Sequence, residues 1–368
     1  MASASLLHPP GAREPRNRVA NPRADGVRPI PGNATANRHK LRDSSGSPAV
    51  SEGSSVVIAN PRVSIVIPSY NQPDEFLEAC LSSLQQQTVA SWEAIVVDDG
   101  STRGNVETFV AGLGDPRIRA IRQENRGMGG ARNTGFLAAQ AELVLTLDAD
   151  DRLDPAFLEV TVSVLEGDPE ADCVFTDSRC FGDSQDILRF PVLLPPPCPQ
   201  HPAYPDGGLL MRKRLWEAVG GYTDDRVLRG VEWWDFWLTA TERGMRIRHI
   251  AKPLYWYRRH PEGASVTFSR YNDYRNRELI YRRHRRVFDT FHGECPRVPH
   301  PSIRAFLAQG YVISSQASLA KGERWRAAGL AIRGFLIYPW HSSTAKQIAR
   351  VLLPGSSVVK AFRRLVRR

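Results

Sequence analysis

The chain has 368 residues, 42% hydrophobic and 24% charged, the balance of a globular protein with room for one large domain or two modest ones. No window approaches the ~18 consecutive apolar residues of a membrane span, and the N-terminus has no apolar stretch of signal-peptide length. The formal charge of +10 is localised: ten basic residues and no acid follow Glu323, which leaves 39 basic against 39 acidic residues before that point.

Cys80, Cys173, Cys180, Cys198 and Cys295 are scattered, odd in number and without a CxxC pair. That pattern fits a reducing cytosol better than a zinc site or a disulfide framework. A cytoplasmic protein is therefore expected.

Residues 1–60 are rich in Pro, Asn, Ser, Gly and Arg and show no apolar periodicity, so they read as a disordered tail. VSIVIPSY (63–70) reads as a strand. PDEFLEACLSSLQQQ (73–87) has helical apolar spacing and Pro73 at its start. WEAIVVDDGS (92–101) reads as a second strand ending in acid, VETFVAGLG (106–114) as a helix and IRAIRQE (118–124) as a third strand. A helix over 128–141 is entered through Gly127, Gly129 and Gly130, and LVLTLD (143–148) reads as a fourth strand. Asp154-Pro155 reads as the start of a helix to about 166, and CVFTDSRCF (173–181) as a fifth strand. Strands alternating with helices at this spacing imply a mainly parallel sheet covered on both faces, with ligands at the carboxyl ends of the strands.

The proline-laden stretch 187–205 reads as a long functional loop or a linker. Residues 207–222 read as a short strand and a helix closed by Gly220-Gly221. A helix follows over 231–244, then two strands, 246–250 and 254–260. Beyond Ser269 the pattern is helical, with one helical span over 302–336 and a basic amphipathic tail.

Three carboxylates, Asp148, Asp150 and Asp151, stand at the end of the fourth strand. On an extended segment residues two apart share a face, which puts Asp148 and Asp150 together and Asp151 away. Two converging carboxylates call for a cation, and oxygen donors suit Mg²⁺ or Mn²⁺ brought with substrate phosphates. The plain alternative is a solvated acidic loop. Asp98 and Asp99 close the second strand, where one carboxylate is placed to accept a hydrogen bond from a nucleobase; a simple turn is the alternative.

VSIVIPSYN, WEAIVVDDGS, NRGMGGARNTGF and LTLDADD, in this order and at these intervals, resemble the family 2 glycosyltransferases over roughly residues 62–262. The resemblance implies a GT-A, Rossmann-like α/β fold with a mixed, mainly parallel sheet and helices on both faces. A helical C-terminal extension would follow. The implied division is a donor half at 61–182, an acceptor half at 183–262, a helical extension at 263–340 and the basic tail at 341–368.

The resemblance also implies roles. Pro68 and Tyr70 would line the base pocket and Asp99 would bond the base. Arg132 and Asn133 would lie near the sugar and diphosphate. Asp148 and Asp150 would form a DxD motif holding Mn²⁺ or Mg²⁺, with Asp151 adjacent as a further ligand. His260 sits where some relatives carry a histidine near the metal or diphosphate, beside Arg258 and Arg259 as diphosphate contacts.

Relatives usually carry the catalytic base in a Glu-Asp pair, but GVEWWDFWL (230–238) has Trp233 in place of the aspartate. Glu232 and Asp235 remain, three apart and on one helical face, and either could reach an acceptor hydroxyl. First-turn acids favoured by the helix dipole are the alternative. Trp233, Trp234 and Trp237 read as packing residues.

The expected activity is inverting, metal-dependent transfer from a nucleotide sugar, UDP-sugars first, to a glycan or lipid-linked acceptor in envelope polysaccharide synthesis. The QxxRW signature of processive synthases is absent, which favours transfer of one or a few sugars. A sugar-phosphate nucleotidyltransferase is one alternative, although IPSYN stands where its Gly-rich loop would be. A non-catalytic carbohydrate- or membrane-binding relative is the other. The tail SSVVKAFRRLVRR suits a helix lying on an anionic membrane, at the inner face of the cell membrane, and the chain has no nucleic-acid-binding motif.

Overall fold

The structure, a computed structural model, describes residues 60–190, 207–260, 272–291, 303–339 and 342–352. The expected N-terminal tail, the prolines of 191–205, Cys198, Cys295 and the end of the basic tail lie outside the described residues.

Among the described residues nine strands form one sheet: β1 (Val63–Ser69), β2 (Trp92–Asp98), β3 (Ile118–Arg122), β4 (Leu143–Thr146), β5 (Arg152–Leu153), β6 (Cys173–Gly182), β7 (Ile187–Leu188), β8 (Leu209–Arg212) and β9 (Ile247–Arg259). Their order is β3-β2-β1-β4-β8-β6-β9-β5, with β7 on β6. The strands β1, β2, β3, β4, β6 and β9 run one way, while β5, β7 and β8 run the other.

Both faces of the central strands are covered, so they read as continuous apolar runs. Val63, Ile65 and Ile67 of β1 enter one core cluster and Val66 enters another; Ala94 and Val96 of β2 are likewise separated from Ile95 and Val97. The first cluster also takes α1 (Asp74–Gln85), α2 (Val106–Gly112) and α4 (Phe157–Gly167); the second takes α3 (Gly127–Ala138), α5 (Lys213–Val219) and α6 (Glu232–Glu242).

The helix α6 buries two sides. Phe236, Trp237 and Ala240 pack in the second cluster, Trp234 and Leu238 in a third, and Trp233 touches both. The third cluster is built with α7 (Asp273–Arg283), α8 (Arg285–Phe291) and α9 (Ile303–Ala320). The helices α10 (Arg324–Ile337) and α11 (Ser342–Leu352) complete the extension. No helix among the described residues is long and apolar enough to cross a membrane.

Three expectations need correction. The strands at 246–250 and 254–260 are one strand, because β9 carries extra residues where it passes Thr176, Asp177 and Ser178 of β6, and this bulge accommodates Pro253, which has no N–H to give. The helix after Asp154-Pro155 begins only at Phe157; Asp154 instead bonds the Ala156 N–H through Oδ1 at 3.1 Å and the Phe157 N–H through its carbonyl at 2.9 Å. The span 302–336 is two helices, α9 and α10, parted at Gly322, whose φ is +79°.

Candidate functional site

The loops after β1, β2 and β4 meet at the carboxyl end of the sheet. Pro68 is buried in β1 opposite Val97, and Tyr70 is half exposed just past its end. Asn71, at φ +50°, accepts hydrogen bonds from the Thr102 and Arg103 N–H groups at 2.8 and 3.1 Å and so ties the first loop to the second.

Asp98 is wholly buried, accepting from the Ser101 N–H at 2.8 Å and paired with Arg122. Asp99, also buried, accepts from the Arg126 and Gly127 N–H groups at 2.8 Å each and from the Gln123 amide at 2.7 Å. The sequence suggests that the start of α3 faces an anion, as helix N-termini do. The anion found there is the protein's own Asp99.

The glycines at that helix start admit protein rather than open space. Gly127 has φ +80°, and a Cβ on it would stand 2.9 Å from Arg229 Nε. A Cβ on Gly129 would meet the Thr223 carbonyl at 2.7 Å and Glu232 Cγ at 3.1 Å. Thr223, Arg229 and Glu232 therefore press directly on the first turn of α3.

From α3, Arg132 is fully buried and reaches two acids: it donates to Asp148 Oδ1 at 2.8 Å and to Glu232 Oε1 at 3.4 Å. Its guanidinium also lies over the Tyr222 ring, 5.5 Å from the centroid. Asn133 is spent on the acceptor half, donating to the Tyr222 carbonyl at 2.8 Å and accepting from Trp216 Nε1 at 3.0 Å and the Tyr222 N–H at 2.8 Å.

The three aspartates part company. β4 ends at Thr146 and the chain turns, the Asp151 N–H donating to the Asp148 carbonyl at 3.0 Å, so strand alternation does not govern Asp148 and Asp150. Asp148 goes to Arg132. Asp150 faces His260 Nε2 at 3.0 Å, and the His260 ring stands edge-on to Phe76. Asp151 is buried and committed to β9, accepting from the Tyr255 hydroxyl at 2.5 Å and the Arg258 N–H at 2.7 Å.

Burial raises the pKa of Asp148, which Arg132 counters and Asp150 reinforces. Burial followed by the charges of Asp150 and Asp148 lifts Asp151 well above the carboxylate range. Arg258 braces the turn, its Nε donating to the Asp150 carbonyl at 2.8 Å and its guanidinium covering Phe76 and Phe181. Arg259 lies over Tyr257.

Among the described residues no three His, Cys, Asp or Glu side chains gather closely enough to hold a metal. Asp148, Asp150, Asp151 and His260 are thus not a protein-only cage. The hard-oxygen pair Asp148 and Asp150 does fit Mg²⁺ or Mn²⁺, which commonly take one or two carboxylates and complete their shell with water and substrate phosphates.

The two candidate bases separate. Glu232 is 2% exposed, accepts from the Gly230 N–H at 2.7 Å and lies against Arg132; burial raises its pKa and Arg132 opposes the rise. Asp235 turns to the extension, where its Oδ1 pairs with His284 Nε2 at 3.0 Å and Arg283 at 3.3 Å. Burial would raise the Asp235 pKa, but His284 and Arg283 outweigh it and hold it low.

Sequence reasoning missed two parts of this architecture. Tyr255 fills the space beside Gly207 and Gly208, where added Cβ atoms would stand 2.2 and 2.3 Å from its ring or hydroxyl, and it anchors Asp151. The Gly-Gly pair was the only signal. The bridge from Arg132 to Glu232 spans 100 residues and left none.

The family model described as Glycosyl transferase family 2 matches residues 64–216. The chain is 34% identical to a chondroitin synthase of Escherichia coli over 217 residues, 56% of this chain and 30% of that protein. It is 30% identical over 244 residues to the uncharacterised glycosyltransferase YibD of Escherichia coli strain K12, covering 61% of this chain and 67% of YibD. It spans less than a third of the length of the first curated relatives it matches. The crystal structure of S. aureus TarS 1-349 in complex with UDP-GlcNAc aligns with a TM-score of 0.52 at 15% identity, covering 82% of this chain and 92% of that one, a likeness of fold.

Proposed function

The chain belongs to the family 2 glycosyltransferases, and from that premise we propose that it moves one sugar at a time from a nucleoside diphosphate sugar to an acceptor hydroxyl with inversion. A UDP-sugar is the first donor to test, because TarS, of like fold, is described with UDP-GlcNAc. The acceptor is a glycan or lipid-linked glycan.

The observation that carries this reading is the buried Arg132, which draws Asp148 of the donor half and Glu232 of the acceptor half to one guanidinium. Glu232 is then the base. It takes the proton of the acceptor hydroxyl as that oxygen attacks the anomeric carbon, and the bond from that carbon to the diphosphate breaks on the opposite side. Burial, which favours its neutral form, brings its proton affinity closer to that task. Arg132 keeps Glu232 and Asp148 from repelling one another.

Asp148 and Asp150 would hold Mg²⁺ or Mn²⁺, which when bound neutralises charge on the departing nucleoside diphosphate. His260 orients Asp150, Asp151 fixes the turn onto β9, and Pro68 and Tyr70 flank the base. Asp99 has Oδ2 engaged by one N–H only, which leaves that oxygen able to accept a second bond from the base. A thermal-shift screen of UDP-, GDP- and dTDP-sugars with Mn²⁺, followed by measurement of nucleotide release, tests the reading. No stabilisation by any nucleotide sugar and no release would end it.

Membrane contact at the inner face of the cell membrane belongs to the same proposal. On α10, Trp325 is 90% exposed and shares a side with Ile332 and Leu336, seven and eleven residues on, while no acid follows Glu323. An exposed apolar stripe in acid-free, basic chain suits an anionic lipid surface. The charge on α10 and beyond disfavours a second copy of the same helices there. Flotation with phosphatidylglycerol vesicles should fall on removing residues 342–368 and fall further with Trp325→Ser; equal flotation of all three proteins removes this part.

A further inference from the structure

A cavity of about 360 Å³ opens where the donor half, the acceptor half and the extension meet, lined by Asn125, Arg226, Val227, Arg229, Asn272 and Asn276. No acid lines it. Three further arginines are spent elsewhere: Arg132 on Asp148 and Glu232, Arg277 on Asp273, and Arg283 on Asp225 and Asp235. Among the described residues Arg226 and Arg229 make neither a hydrogen bond nor an ion pair.

Asn276 is 1% exposed, and its Oδ1 has no hydrogen-bond partner among the described residues. A buried amide oxygen without a donor is costly, and it belongs to a residue that lines this cavity. Two unpaired guanidiniums beside three amides form a set that recognises a carboxylate, phosphate or sulfate on a polyhydroxylated body.

The cavity lies beside the acceptor chemistry. Arg229 and Glu232 press on the same first turn of α3, at Gly127 and Gly129, and the Gly230 N–H between them in sequence donates to Glu232 Oε2 at 2.7 Å. A group held by Arg229 is therefore neighbour to whatever Glu232 deprotonates.

We propose that this cavity is an acceptor subsite in which Arg226 and Arg229 bind an oxyanion carried by the acceptor glycan, so that the substrate is an acidic glycan bearing uronate, phosphate or sulfate. The Asn272 and Asn276 amides hold its hydroxyls, and the exposed Val227 packs against its ring. The inference rests on Glu232 as the base only for the word acceptor; the anion site itself stands on the cavity.

The test uses the full chain with excess UDP and Mg²⁺ present to fill any donor site, and titrates glucuronate, inorganic phosphate and glucose by calorimetry. Glucuronate and phosphate should bind and glucose should not; both anions should weaken about tenfold or more in Arg226→Ala/Arg229→Ala, the loss of charge-assisted hydrogen bonds. Arg226→Ala alone, at an exposed position, guards against misfolding and should weaken them partially. Glucuronate binding with phosphate silent assigns a uronate, and the reverse a phosphate or sulfate. Glucose binding as well as glucuronate, unchanged anion binding in the double variant, or displacement of UDP by the anions would overturn the proposal. A separate UDP titration without anions reports on the donor reading, so its failure is told apart from failure at the cavity.

Discussion

Three acids at the carboxyl end of the sheet lean on backbone N–H groups, whereas the two acids of α6 are tied to side chains from distant elements. Asp98, Asp99 and Asp151 each accept from backbone N–H groups, those of Ser101, of Arg126 and Gly127, and of Arg258. Glu232, besides the Gly230 N–H, and Asp235 meet side chains from far along the chain: Arg132 is 100 residues from Glu232, and Arg283 and His284 are 48 and 49 from Asp235. The backbone donors to Asp98 and Asp99 come from the chain that follows them, although Arg258 is 107 residues from Asp151. The guanidinium and imidazole partners of Asp148, Asp150, Glu232 and Asp235 arrive only when separate elements pack, so those acids are where substitution should expose coupling between regions.

Asp150→Ala tests the donor side most severely. Transfer should fall about 10³-fold, the scale of losing electrostatic stabilisation of a leaving group, with the melting temperature unchanged because the side chain is a quarter exposed. Activity undiminished in that variant, or in excess EDTA, breaks the assignment. On the acceptor side, Glu232→Gln should lower kcat by about 10²- to 10⁴-fold at similar donor affinity, whereas Asp235→Asn should cost stability with little change in kcat. The opposite ranking would exchange the two roles.

Arg132→Met sharpens the comparison by removing the side chain that pairs with Asp148 and Glu232 at once. It leaves Asp148 and Glu232 without their shared cation and should destabilise the protein by about 3–5 kcal/mol, read by urea denaturation. A loss confined to activity would mean that the bridge orders the site without supporting the fold.

The smallest expected effect is a pH window for docking of the extension. The His284 pKa is raised: burial opposes this, but Asp235 and Glu242 prevail. Its contribution is complete below the ordinary value of 6.5 and is lost as pH rises through the elevated one. The Asp235 pKa is lowered, so its contribution is present above 3.8 and lost as pH falls through the depressed value. Proteolysis of the extension should be slowest between about 4 and 6.5, and His284→Ala should flatten that profile at a cost of about 1–3 kcal/mol. A profile unaltered by the substitution removes the pair as its cause.

Most of the order of strands and helices through residue 182 was legible because each central strand is a short apolar run closed by a turn residue, as in Val63–Ser69 and Trp92–Asp98, while the two-residue β5, too short to show a pattern, was not. The acidic strand ends were equally plain. Their partners were not, since the same Asp-Asp-Gly-Ser serves a solvated turn or a helix cap, and only the position of α3 decides that Asp99 caps it. The single strand β9 was hidden by Pro253, whose disruption of the ladder is absorbed by extra residues of β9 itself, since Thr176 pairs with Ile250 and the next residue, Asp177, with Pro253.

By itself the sequence determined the family, the alternating sheet architecture and the concentration of acids at the carboxyl end of that sheet, because apolar periodicity and turn chemistry act over a few residues. Only the tertiary structure decided that Asp148 pairs with Arg132 while Asp151 turns to Tyr255, and that Glu232 faces the site while Asp235 faces the extension. Two acids three apart on one helix look alike in sequence; which of them meets a buried guanidinium depends on packing between elements a hundred residues apart.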